Sequence, residues 1–198
     1  MEALVVVDVQ NDFCPGGALA VAGGDQVVTL INKSRKDFGL VLFTQDWHPR
    51  GHASFASSHP GKKPYDRIDL NGQPQTLWPD HCVQESRGAE FHPKLEIHAS
   101  DPVFKKGTLP SVDSYSGFQD NDHKHETGLR EFLRKKGVDR IAVVGLATDY
   151  CVKFTALDAL AAGFQVRVLR GGCRAVNIDP RDEEKAYAEL RKAGAEVE

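Results

Sequence analysis

No stretch of these 198 residues is apolar for long enough to cross a bilayer; the longest hydrophobic runs are strand-sized. There is no basic excess. Lys and Arg number 25 against 28 Asp and Glu, for a net charge of −3, and no Lys/Arg run exceeds three residues. That balance argues against a nucleic-acid partner or an anionic membrane surface. The opening residues "MEALVVVDVQ" have no basic leader region and reach an acid too soon for a signal peptide, so a cytoplasmic location is expected. Cysteine is sparse, with Cys14, Cys82, Cys151 and Cys173, and none forms a Cys-x-x-Cys pair. This leaves a zinc ribbon or a thioredoxin-type site without support, and free thiols are expected rather than a disulfide framework. Internal repeats, low-complexity tracts and linkers are also missing.

What is present is the composition of an ordinary globular protein, 40% hydrophobic and 27% charged. The length suits one domain over residues 1–198 and does not require two. Continuous β-branched runs alternate with helical patterns. Strands are expected at 3–9, 40–45, 102–106, 140–146 and 164–169, with a short last one in "AEVE". Helices are expected at 25–38, 126–137, 149–163 and 179–194, the last with Asp179 as cap and Pro180 at its first position. Such alternation predicts a three-layer α/β/α sandwich around a mostly parallel sheet, with its working site beyond the carboxyl ends of the strands.

One segment breaks the rhythm. Residues 46–101 show little regular pattern, and connections that long tend to be functional. Six of the eight histidines lie there: His48, His52, His59, His81, His92 and His98.

Several residues could carry chemistry. Asp8 ends a strand expected to be buried on both faces, where an unpaired carboxylate must find a cation or take up a proton. A solvated strand end is an equally good reading of Asp8 alone. Lys105 and Lys106 end another strand and turn to opposite faces, so at most one reaches the side of Asp8; a solvated surface charge is the ordinary fate of both. Cys151 sits in the first turn of an expected helix, where backbone N–H groups and the helix dipole favour a thiolate. It could also simply pack as a small hydrophobe. Asp46 and His48, two apart in extended chain, can reach one point, with His52 or His81 as a third ligand. A carboxylate with imidazoles suits zinc, iron or manganese, although an Asp–His hydrogen bond in a loop would use the same residues. Phe13, Trp47, Trp78 and Tyr115 cluster in the same irregular segments, either as loop anchors or as walls of a slot for a flat ligand.

Four pieces in order, "VVVDVQNDFCPGGAL", "TQDWHPRGHASF" with "LWPDHCV", "FKKGTLPSVDSYSGF" and "GLATDYCVKFTALDA", resemble the nicotinamidases of the isochorismatase-like cysteine hydrolases. The resemblance spans Leu4 to about Val176. It implies the isochorismatase-like fold and a catalytic triad of Asp8, Lys106 and Cys151. It implies Asp46, His48 and His81 as ligands of one divalent ion, most simply zinc, with waters completing the sphere. A cis peptide between Leu146 and Ala147 is implied, with oxyanion donors from Ala147 and Cys151. Phe13, Leu19, Trp78, Tyr115, Leu146 and Ala147 fall where the family lines its pyridine pocket. His52 is not placed in the sphere. The implied reaction is hydrolysis of nicotinamide, with pyrazinamide as a further substrate and NAD salvage as the setting.

Three rival readings remain: a family member acting on another amide, a nucleotide- or flavin-binding α/β module, and a non-catalytic metal-binding protein. The first strand runs into "DVQNDFCPGG" rather than a glycine-rich phosphate turn, which disfavours the nucleotide reading. Metal identity stays open, and nothing in the sequence excludes a homo-oligomer.

Overall fold

A computed structural model describes residues 1–198. Its centre is a sheet of six strands: β1 (Glu2–Val7), β2 (Val41–Asp46), β5 (Val103–Lys106), β6 (Arg140–Leu146), β7 (Gln165–Arg174) and β8 (Glu196–Val197). Their order is β5-β2-β1-β6-β7-β8, and every neighbouring pair is parallel. The sheet is thus parallel throughout.

Alternation along the buried strands divides the core in two. Ala3, Val5, Val7, Ile141 and Val143 face one side, where α2 (Leu129–Lys135), α3 (Lys153–Ala161) and α4 (Asp182–Ala193) pack. Leu4, Val6, Ala142, Val144 and Leu146 face the other, against α1 (Val27–Ser34) and parts of the long 46–101 segment. Both faces are covered, which is why the strands read as continuous apolar runs.

The chain leaves β1 for β2 and β5 on one side, then returns to lay β6 on the other. Neighbouring loops therefore diverge at the carboxyl ends of β1 and β6, and a crevice opens there. Gly145 sits at an irregularity in the β6–β7 register, with φ +121°. A Cβ there would lie 2.0 Å from the Val7 carbonyl oxygen, so only glycine lets β6 approach β1 so closely.

The element boundaries depart from expectation in several places, and β7 runs on to Arg174 where a strand ending at 169 was expected. The helix expected at 25–38 is α only over Val27–Ser34, with 3₁₀ turns at either end. α2 begins at Leu129 rather than 126, because Gly128 takes φ +89° just before it. α4 begins at Asp182, not beside Asp179; a turn closed from Asp182 N–H to the Asp179 carbonyl precedes it, and Asp179 Oδ1 accepts from the Arg181 amide. The patternless 46–101 segment contains an antiparallel hairpin, β3 (Arg67–Leu70) with β4 (Gln73–Thr76). Its turn is Asn71-Gly72, both at positive φ, and that dipeptide was a legible hairpin signal.

Candidate active site

Four strand ends converge on one buried cluster. Asp8 follows β1, Asp46 ends β2, Lys106 ends β5, and Cys151 lies in the turn after β6. Asp46 and Lys106 are direct register partners across β2 and β5. Lys106 is buried and its neighbour Lys105 turns away, its ammonium 3.6 Å from the centre of the Trp47 ring.

Lys106 Nζ stands 2.6 Å from Asp46 Oδ1, 2.9 Å from Asp8 Oδ2 and 3.4 Å from Cys151 Sγ, and it donates to the Ser114 carbonyl at 2.8 Å. A carboxylate oxygen of Asp8, one of Asp46 and the Cys151 sulfur all lie within 4.8 Å of one another. Asp8 Oδ1 accepts from the Thr44 hydroxyl at 2.6 Å, while Oδ2 receives no well-aligned donor. Asp8 itself has φ +46°, a left-handed backbone that costs a non-glycine residue roughly 1–2 kcal/mol.

These charges set one another. Burial raises the Asp46 carboxyl, but the Lys106 ammonium and His48 overcome it and hold Asp46 well below the ordinary carboxylate range. Burial also pushes Asp8 up, only partly opposed by the ammonium it shares with Asp46. Lys106 is held well above the usual lysine value by the two carboxylates, against the effect of burial. Cys151 is raised well above an ordinary thiol by burial first, with Lys106 opposing and Asp8 and Asp46 adding to the rise. At the Cys151 thiol, desolvation thus outweighs the favourable helix terminus. The terminus also differs in form, since Thr148–Val152 is a π-helical turn closed from Val152 N–H to the Ala147 carbonyl.

A second grouping adjoins the first. His48 Nε2 and His81 Nε2 lie 3.3 and 3.5 Å from Asp46 Oδ2. The opposite ring nitrogens engage backbone carbonyls: His48 Nδ1 at 2.9 Å from Gly107 O, His81 Nδ1 at 2.8 Å from Pro79 O. Donation from Nδ1 leaves Nε2 as a lone-pair donor on both rings, the arrangement metal-ligating histidines adopt. The three ligand atoms converge on one point, and the donor set of one carboxylate and two imidazoles fits a divalent ion. His52 falls outside it. Its Nδ1 lies 2.8 Å from Ser54 Oγ and its Nε2 3.1 Å from the Val112 carbonyl, so both nitrogens are engaged.

A narrow cavity adjoins both groups. Cys151, Asp46 and His81 form its floor, and Phe13, Leu19, Trp78, Tyr115 and Ala147 its walls. The Leu146–Ala147 peptide is cis, and the Ala147 N–H donates to no protein acceptor. The Cys151 N–H belongs to the π-helical turn. Leu146 is not among the residues that line the cavity; its side chain packs in the α1-side core beside Phe13, Leu19 and Trp78, which do line it.

Sequence reasoning missed several supports. Tyr150, Val176 and Asp113 also line the cavity. Buried Asp149 accepts from the amides of Val176 and Asn177, both at 2.9 Å, which seats Val176 in the wall. Gln10 clamps Asp46 from both sides, its amide donating to the Asp46 carbonyl and its oxygen accepting from the Asp46 N–H, each at 2.8 Å. Asp12 accepts from the Cys82 amide at 2.7 Å and so fixes the His81 loop. Each lies far in sequence from what it holds, and no local pattern announces it.

The fold is that of an α/β/α-sandwich hydrolase, with Asp8, Lys106 and Cys151 gathered at the ends of its strands. The chain belongs to the isochorismatase family: the Isochorismatase domain model matches residues 2–198. It is 53% identical to the nicotinamidase of Escherichia coli K12, covering 98% of this chain and 92% of that one. Its structure resembles the nicotinamidase/pyrazinamidase of Acinetobacter baumannii at a TM-score of 0.96 and 45% identity, over 99% of this chain and 94% of the other. It also resembles the pyrazinamidase of Pyrococcus horikoshii in complex with zinc, at a TM-score of 0.81 and 38% identity, covering 100% and 98%.

Proposed function

We propose that this chain is a nicotinamide amidohydrolase that releases nicotinate and ammonia through a thioester on Cys151. The single observation that carries the reading is the meeting of Asp8, Lys106 and Cys151 under a narrow aromatic cavity whose floor also holds an Asp/His ligand set. Pyrazinamide, nearly isosteric, is expected to be a substrate as well.

Asp8 accepts the Cys151 proton as the sulfur attacks the carboxamide carbon. A carboxyl raised by burial is a stronger base for this transfer, and the Lys106 ammonium 3.4 Å from the sulfur steadies the charge that appears there. The tetrahedral oxyanion is held by the free Ala147 N–H, with the Cys151 N–H as second donor; one such donor is worth about 3–4 kcal/mol of barrier. Asp8 passes its proton to the departing nitrogen, which leaves as ammonia. It then takes one proton from water as that water attacks the thioester and returns it to sulfur as nicotinic acid leaves, which loses its remaining proton to solvent to give nicotinate. Asp46, His48 and His81 would hold one divalent ion, zinc by analogy with the Pyrococcus neighbour, which supplies a Lewis-acid anchor for the ring nitrogen. Trp78, Phe13 and Tyr115 clamp the ring so that its carboxamide meets Cys151.

No helix is long and apolar enough to cross a membrane. A cytoplasmic role in NAD salvage fits a small neutral amide as substrate. The deciding experiment measures ammonia release from nicotinamide with and without a chelator, beside a panel of aliphatic amides. Turnover of aliphatic amides alone would replace nicotinamide as the substrate.

A further inference from the structure

The mechanism leaves one buried carboxylate in the cavity without a task. Asp113 is 3% exposed and lines the same space as Cys151, Trp78 and Tyr115. Its Oδ1 accepts from the Ser114 amide at 2.8 Å and its Oδ2 from Gln75 Nε2 at 2.8 Å. Both partners are neutral N–H donors, suited to an acceptor-only carboxylate, and a nitrogen of each of His48 and His52 lies within 4.8 Å of an Asp113 oxygen. Gln75 comes from β4, whose preceding residues Gln73 and Pro74 are exposed, so the hairpin sends one buried amide inward to this carboxylate. An acceptor on Asp113 requires the nitrogen of Gln75 to face it, which fixes the amide's orientation. Lys106 is already engaged with Asp8 and Asp46, and no lysine or arginine pairs with Asp113.

We propose that Asp113 is a specificity-determining residue that makes the cavity accept a neutral carboxamide and reject the carboxylate formed from it. This inference rests on the nicotinamidase reading. Substrate and product share a ring and differ mainly by a full negative charge at the reacting carbon. A second fixed anion in a small, water-poor cavity repels only the product, and at an effective permittivity of about 20 such like-charge repulsion is substantial. Discrimination of this kind is built by placing the repulsive element against the unwanted ligand. Its consequence is rapid loss of nicotinate and weak product inhibition.

The test is calorimetry on the metal-loaded enzyme with two non-reacting ligands, nicotinate and the neutral 3-pyridylmethanol. Asp113→Asn should bind nicotinate at least tenfold more tightly than the native enzyme, while 3-pyridylmethanol changes by less than threefold. A merely structural role would move both ligands together, and that result overturns the proposal, as does unchanged nicotinate affinity. The double variant Gln75→Glu/Asp113→Asn exchanges carboxylate and amide while keeping them bonded, and should restore the rejection of nicotinate. Where Asn at 113 does not fold, Asp113→Ser, which still accepts from Gln75, serves the same comparison. Absence of nicotinamide hydrolysis by the native protein would sink the underlying reading instead, independently of these binding ratios.

Discussion

The ammonium of Lys106 donates to Asp46 across 2.6 Å, and this bond joins the two halves of the site. Asp46 turns its other oxygen to His48 and His81, while Lys106 also reaches Asp8 and Cys151. One buried cation thus serves the ligand carboxylate and the nucleophile together. Removing it leaves the buried Asp8 and Asp46 carboxylates without the cation they share, which costs several kcal/mol unless one takes up a proton. Lys106→Met is expected to lower bound metal and ammonia release together; a variant with full metal content and no activity would separate the two groups.

Cys151→Ala should reduce ammonia release from nicotinamide by roughly 10³-fold or more while leaving the far-ultraviolet circular dichroism unchanged. The thiol fills little of the core, and alanine is tolerated in the turn that carries it. Retained turnover would assign the nucleophile elsewhere.

Asp8→Asn isolates proton transfer. Asn accepts the left-handed backbone at φ +46° better than most residues, so the fold should persist. An amide cannot shuttle protons, and the rate should fall by about 10²–10⁴-fold with the melting temperature little changed. A near-native rate would remove Asp8 from the proton path.

Gly107→Ala tests the seat of His48. Gly107 has φ +62°, and a Cβ there would lie 2.4 Å from His48 Cε1. Displacing the ring should weaken metal binding by about 10–100-fold, the usual cost of disturbing a ligand's support. Metal analysis after dialysis reads this directly, with His48→Ala as the reference for loss of the ligand itself.

The Asp179 carboxyl is held down to about 2 by the Arg181 side chain first, with the Arg181 amide and Lys185 adding to it. A depressed carboxyl stabilises the fold above its unfolded value of 3.8 and loses that contribution as pH falls through about 2. The group is exposed, so the effect on stability is small and weakened by salt. Carbon-detected NMR should show Asp179 still ionised at pH 3, and Arg181→Ala should move its midpoint toward 3.8.

What the sequence determined by itself was whatever is repeated locally. Continuous apolar runs such as 140–146 could only be strands covered on both faces, and Gly137 and Gly163 marked helix ends because both adopt positive φ there. The four-piece motif resemblance likewise carried Asp8, Lys106, Cys151, Asp46, His48 and His81 to one place. Tertiary structure decided what depends on distance and solvent. How burial raises the Cys151 thiol follows from how thoroughly the assembled core excludes water, which no spacing encodes. Whether Leu146 lines the cavity or packs in the core beside its walls likewise follows from tertiary packing. The burial of Asp113 against Gln75, 38 residues away, exists only once the hairpin folds over the strand ends, because a polar side chain is committed to the interior by the partner it meets there.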